Sequence, residues 1–288
     1  MIGRLDLSQF ERAPIVLANG LRFPEGPAFD GQNRLWAVEL KGGALLRMND
    51  GVVERIAVGG APNGLAFWDD QAWFCDADQR SIRRLNEDGI CETIVDAVDG
   101  VAPDRPNDLA FDAAGNLVFT CPGNSRTEPT GSVWCRRPDG SLRAIAQGMY
   151  FPNGLAFSAD GKTLVIAETY RHRLWRGVWN AETTQWIGAT PWAEVGGPIG
   201  PDGMAFCETG ALFVALYGLG AVAVVEGDTP LIRRIAVDGQ CPTNLAFDPA
   251  GTLGLVITEA DQGRLLQYRT DVRGAPLFRT KPTSQPGG

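Results

Sequence analysis

The chain has 288 residues, is 44% hydrophobic and carries a formal net charge of −8, enough to bury the core of one large domain or two ordinary ones. The acid excess and the lack of any Lys/Arg-rich stripe exclude nucleic acid and anionic membrane surfaces as partners, leaving a small ligand or a cation. A single histidine, His172, rules out His-His metal motifs, and six cysteines without a Cys-x-x-Cys pair argue against cysteine zinc centres.

The first twenty residues, MIGRLDLSQFERAPIVLANG, lack the continuous apolar core of a signal peptide, and no later run approaches a membrane span. A cytoplasmic protein with reduced thiols is expected. Within that stretch PIVLA (14–18) reads as a strand. FPEGPAF (23–29) then opens a series that returns as APNGLAF (61–67), RPNDLAF (105–111), FPNGLAF (151–157), GPDGMAF (200–206) and CPTNLAF (241–247). The prolines lie 38 to 49 residues apart, and a phenylalanine follows each one five places later. Periods of this size indicate a repeat architecture.

Each copy leads through a turn into a second apolar run, as in DAAGNLVFT (112–120), SADGKTLVIA (158–167) and CETGALFVA (207–215). A third run follows, from ALLRMN (44–49) in the first repeat to RLLQYR (264–269) in the last. Most repeats add a fourth, such as RIAV (55–58), TIVD (93–96), RAIA (143–146) or RRIAV (233–237). Four strands per repeat make a propeller blade. The predicted fold is therefore all-β, one six-bladed β-propeller domain over 1–288 with four antiparallel strands per blade. The strand at 14–18 closes the ring beside RLLQYR, which protects both edges from stray pairing. Trp36, Trp73, Trp134 and Trp175 fall at strand positions and are assigned to packing between blades.

In such a ring, equivalent positions of the six inner strands converge on one axis. The residue after each proline is Glu25, Asn63, Asn107, Asn153, Asp202 or Thr243, and every one carries a side-chain oxygen. Carboxylates and amides gathered on an axis are costly to bury unless a cation sits among them. Asn-Gly and Asp-Gly are also ordinary turn formers, which accounts for Asn63-Gly64 but not for Glu25, a poor turn former in the same column. Hard oxygen donors point to one divalent cation, Ca²⁺ first and Mg²⁺ or Mn²⁺ next, with Zn²⁺ or Fe as further options.

The motifs PEGP (24–27), RPND (105–108), PNGLAFSADG (152–161) and PDGM (201–204) resemble, in order and spacing, those of the family of gluconolactonases, senescence marker protein and luciferin-regenerating enzyme. The resemblance spans most of the chain. It implies a six-bladed propeller with one catalytic divalent cation held by Glu25, Asn153 and Asp202. It also implies a ligand-facing amide at Asn107, a substrate contact at Arg105, and Asp202 doubling as the base. Family members often carry Asp in a Phe-Thr-Asp-Pro pattern where this chain has Phe119-Thr120-Cys121-Pro122, a departure near the expected mouth that leaves the substrate open.

The loops expected at the mouth are 39–43, 76–81, 121–131, 168–173, 216–220 and 259–263, and the longest, CPGNSRTEPTG (121–131), is the expected lid. Asp76, Asp78, Glu168, Glu259 and Asp261 read mostly as solvated loop charges. Phe23, Tyr150, Phe151 and Tyr217 fall near the mouth. His172 is the lesser reading for a base, because Arg171 and Arg173 flank it and depress its basicity. The leading function is a metal-dependent hydrolase opening a small sugar-acid or comparable lactone, in a monomer or small homo-oligomer. The alternatives are a phosphotriesterase or arylesterase propeller, and a non-catalytic propeller in which the cation only ties the blades together.

Overall fold

A computed structural model of the protein describes residues 4–279 apart from positions 12, 50 and 87. Each motif copy forms the innermost strand of a four-stranded antiparallel sheet, and there are six such sheets. The inner strands are Pro24–Phe29, Pro62–Trp68, Leu109–Phe111, Pro152–Phe157, Gly200–Phe206 and Pro242–Phe247. Each touches the next, and the last touches the first, so the sheets close into a six-bladed propeller.

Burial falls outward along each blade. The inner strand Pro24–Phe29 is buried throughout, while the outermost strand of the same blade, Val52–Ala57, alternates toward solvent. This gradient explains why the inner motifs stand out in the sequence and the outer strands blur. In the fourth blade the outermost strand, Gln185–Glu194, bears Pro191 and has irregular register, so its pattern gave no clear strand. An edge strand tolerates a proline because its outward N–H has no partner to lose.

Ile15–Ala18 pairs antiparallel with Arg264–Tyr268 and becomes the outermost strand of the sixth blade. The expected closure by the N-terminal strand is therefore observed. The repeated phenylalanine packs back onto the preceding blade: Phe67 meets Trp36 at 5.5 Å, Phe111 stacks on Trp68 at 5.0 Å, and Phe247 meets Phe213 edge-on at 4.9 Å. Six apolar clusters, one at each junction between blades, make up the core. Trp36, Trp73 and Trp134 are buried in them, and Trp175 packs against another.

One segment had no role in the sequence reading. After the last strand the chain crosses the end of the ring opposite the motif prolines. Gly274 bridges to Cys207, the Ala275 N–H donates to the Phe206 carbonyl, and Phe278 packs beside the Trp68 and Phe111 cluster. Arg279 accepts from the Asp69 N–H at 2.7 Å and donates through Nη1 to the Asp30 carbonyl at 2.6 Å. Among the described residues no helix is long and apolar enough to cross a membrane. All six cysteines are free thiols.

Candidate metal centre

Pairing between the inner strand and its neighbour breaks just after the proline in five blades, with register shifts at Glu25/Ala28, Pro62/Leu65, Pro152/Leu155, Pro201/Met204 and Pro242/Asn244. A bulge of this kind bends the strand and re-aims a side chain. Here it turns the residue after the proline onto the axis. Glu25, Asn63, Asn107, Asn153 and Asp202 all line one cavity of about 700 Å³ at that end of the channel. Four of the five are buried, and Asn107 is half-buried.

The sixth position departs from the expected ring of acceptors. Thr243 is fully buried, and its hydroxyl donates to the Pro24 carbonyl at 2.8 Å and lies 2.7 Å from the Thr258 hydroxyl. It is spent on joining the sixth blade to the first and does not line the cavity.

The next column along the motif reads Gly26, Gly64, Asp108, Gly154, Gly203 and Asn244. Its glycines are forced by crowding at the axis. A Cβ on Gly154 would lie 2.3 Å from the Asp202 carbonyl oxygen, and one on Gly64 would lie 2.3 Å from an Asp108 carboxylate oxygen. Asp108 and Asn244 fill the space these glycines leave and line a second cavity of about 510 Å³ toward the far end of the channel. Asp108 is thus a third axial carboxylate that the sequence reading overlooked, although a lone acid in a column of glycines was a visible signal.

Glu25, Asp202 and Asp108 are 5%, 8% and 8% exposed. None of them has a Lys, Arg or His partner within 4.0 Å among the described ion pairs. Burial first, then the repulsion of Asp202 and Asp108, pushes the Glu25 carboxyl well above its usual range. Burial and Asp108 do the same to Asp202, opposed by hydrogen bonds from the Asn153 side chain and the Gly203 backbone. Burial raises Asp108 to about 7. Asn153 Nδ2 also lies 3.2 Å from the Thr169 hydroxyl, which itself donates to the Pro201 carbonyl at 2.7 Å. Buried carboxylates without compensating charge are what a bound cation would relieve, so the donor set fits a hard divalent ion. Among the described residues no three His, Cys, Asp or Glu side chains cluster tightly. Such a centre therefore depends on its amides.

The wall of the cavity is partly strained backbone. Phe23, Arg105 and Phe151 each precede a motif proline, each adopts positive φ (61°, 52° and 59°), and each lines the cavity. Left-handed φ in a residue with a side chain costs on the order of 1 kcal/mol and clusters at functional sites. Pro122, Gly123, Asn124 and Arg126 of the 121–131 loop line the same cavity, and Tyr217 lines it too. Tyr170 takes the place foreseen for Tyr150.

Other expectations for the mouth are corrected. Asp76, Glu168 and Glu259 are 0%, 1% and 0% exposed, not solvated. Asp76 accepts from the Ala61 and Gln79 N–H groups and from Arg83, and Glu168 from the Tyr150 N–H, Arg173 and Trp175. Glu259 accepts from the N–H groups of Cys241, Asp261 and Gln262, and Glu39 from the Arg22 N–H and Arg55. These four acids end the second strand of their blades and tie down the backbone one or two residues ahead of the motif proline. Asp78 and Asp261 are exposed, as expected. Cys121 holds the same strand-end place in the third blade. It is 2% exposed, faces the Asp104 backbone N–H and is raised by burial, so the departure from Asp lies behind the cavity wall. His172 lies outside the cavity lining, at the left-handed end of the 3-10 turn Thr169–Arg171, with Nδ1 buried and unpartnered.

Comparison with known proteins agrees with this architecture. Residues 23–261 match the family model described as SMP-30/Gluconolactonase/LRE-like region. The chain is 29% identical over 290 residues to diisopropyl-fluorophosphatase of Loligo vulgaris, with 88% of this chain and 91% of that protein covered. It is 30% identical over 213 residues to lactonase drp35 of Staphylococcus aureus (strain MRSA252), covering 69% and 65%. A solved gluconolactonase from Xanthomonas campestris superposes with a TM-score of 0.79 at 26% identity, over 89% of both chains. With the match running from the first motif copy past the last, on a closed six-bladed ring, the chain belongs to the SMP-30/gluconolactonase/LRE-like family.

Proposed function

We propose that the protein hydrolyses a small lactone at a divalent-cation centre held by Glu25, Asn153 and Asp202. The observation that carries this reading is the pair of buried, uncompensated carboxylates among amide oxygens at the floor of a solvent-open cavity. Bound there, a hard divalent cation, Ca²⁺ first, supplies a Lewis acid that polarises an ester carbonyl and acidifies water.

The chain's own residues account for the rest. Asp202, on the cavity floor beside the position of the attacking water, is the base that takes its proton. Attack on the carbonyl carbon forms the new C–O bond, the ring C–O bond breaks, and the proton passes to the departing alkoxide. Asn107 and Arg105, on the same wall, orient the ring oxygens and the developing oxyanion. No covalent nucleophile is needed. Burial raises Cys75 and Cys121 away from thiolate, and neither lines the cavity.

Phosphotriester hydrolysis is the second reading, favoured by the near full-length similarity to diisopropyl-fluorophosphatase. The same cation would polarise a phosphoryl oxygen. One assay separates them. Metal-stripped and reconstituted protein is screened against five- and six-membered sugar lactones, aromatic esters and phosphotriesters. Cation-dependent turnover of lactones above the others is expected. Turnover confined to phosphotriesters would select the second reading, and none with any substrate class would leave a binding propeller.

A further inference from the structure

The charged side chains lining the mouth cavity are Glu25 and Asp202 at its floor and Arg105 and Arg126 on its wall. A divalent cation held by Glu25, Asn153 and Asp202 would balance the two floor carboxylates. The wall then holds two guanidinium groups with no opposite charge inside the cavity, in a chain whose net charge is −8. Arg105 approaches only Asp78, at 3.9 Å, and both side chains are more than half exposed. Arg126 forms none of the ion pairs among the described residues; its guanidinium lies 5.8 Å from the centre of the Phe151 ring and 5.6 Å from that of Tyr170. The two rings meet edge-on at 5.4 Å.

The 121–131 loop that bears Arg126 is also anchored. The neighbouring Ser125 is fully buried, and its hydroxyl donates to the Pro122 carbonyl at 2.6 Å and accepts from the Phe151 N–H at 2.8 Å. Arg126 thus follows an anchored residue, lines the cavity beside two aromatic rings, and is exposed to solvent. A guanidinium presented this way matches an oxyanion group with paired hydrogen bonds.

We propose that the substrate is a lactone bearing a second, anionic oxygen group, which Arg126 receives while the ester carbonyl lies at the floor. A carboxylate on the lactone's tail is the simplest such group, and a phosphate has the same recognition chemistry. This inference rests on the lactonase reading of the site. It makes Arg126 a specificity residue beside Arg105 and Asn107.

The test uses full-length, Ca²⁺-loaded protein and two lactones with the same five-membered ring. D-glucono-γ-lactone ends in a hydroxymethyl group and D-glucaro-γ-lactone in a carboxylate. Efficiency kcat/KM for the glucaro-lactone is expected to be at least about tenfold higher, with Arg126→Gln erasing the ratio and Arg126→Lys keeping part of it. Calorimetry with the ring-opened acids gives a readout independent of turnover. Glucarate should bind at least about tenfold tighter than gluconate, and Arg126→Gln should abolish the difference. Gluconate phosphorylated at its terminal carbon tests the other source, and a larger Arg126-dependent gain there than for glucarate would assign the group as a phosphate. Equal binding of neutral-tailed and anionic acids, or a preference untouched by Arg126→Gln, would overturn the inference while lactone hydrolysis stood. Arg126-dependent binding of the dianions without hydrolysis of either lactone would instead remove the lactonase reading and leave the anion site.

Discussion

At Asp202 two demands meet, because the same carboxylate is a candidate cation ligand and the candidate base. Asp202→Asn keeps an oxygen donor and removes the proton acceptor. Lactone kcat should fall ~10²-fold or more, with the fold and some cation affinity retained; near-normal turnover in this variant would exclude Asp202 as base. Asn107→Ala should act mainly on KM, since a half-buried wall amide orients substrate. Asp108 gives a stability prediction. Burial raises its carboxyl to about 7, above the ~3.9 of an unfolded chain. Folding therefore disfavours the ionised form, so the Asp108 contribution makes metal-free protein lose stability as pH climbs from about 4 to 7. Glu25 and Asp202 are raised as well and add to the same slope. Asp108→Asn should flatten part of that slope and raise the melting temperature of metal-free protein at pH 8. Denaturant midpoints measured across this range, with and without Ca²⁺, check the sign.

Within the blade, the inner strand is held from two directions. Its phenylalanine anchors it to the preceding blade, and the acid ending the neighbouring strand fixes the backbone ahead of its proline. Asp76 is fully buried, pairs with Arg83 at 2.9 Å and accepts two backbone N–H groups. Asp76→Ala would leave a buried guanidinium and those donors unpaired, at a cost of about 3–5 kcal/mol in denaturant unfolding. A loss below about 1 kcal/mol would mean that water replaces the carboxylate. The phenylalanine column was legible because every copy is apolar and in register. The strand-end acids were read as solvated because a charged residue beside Gly, Gln or Arg looks like a loop. Their burial is decided by backbone donors some fifteen to eighteen residues away, which local sequence does not display.

For the whole ring, stability depends on its one non-covalent seam. Among the described residues, Ile15–Ala18 is the strand that joins the N-terminal region to the last blade's sheet. Removing residues 1–18 would expose the edge of Arg264–Tyr268, an invitation to intermolecular pairing. The truncated protein should melt about 10 °C lower, as a loss of several kcal/mol implies for a chain of this size, and should associate with rising concentration. Calorimetry and sedimentation test both; an unchanged monomer would place the seam's strength elsewhere, for instance in the segment around Gly274 and Arg279 that crosses the opposite end.

Sequence alone determined the number of blades, the motif position that faces the axis in five of them and the closure of the ring. All three follow from the period of a repeat whose inner strands are mostly buried and so keep one apolar pattern in register. The tertiary structure decided what each axial oxygen is free to do. Thr243 and Asn153 occupy the same motif position, yet Thr243 turns to the Pro24 carbonyl while Asn153 lines the cavity. Asp108 and Asp202 are one position apart in the motif, yet they line different cavities of one channel. A repeat fixes where backbones converge. Which side chain then meets a hydrogen-bond partner, a like charge or open space depends on neighbours from other blades, and those are adjacent only after the ring has closed.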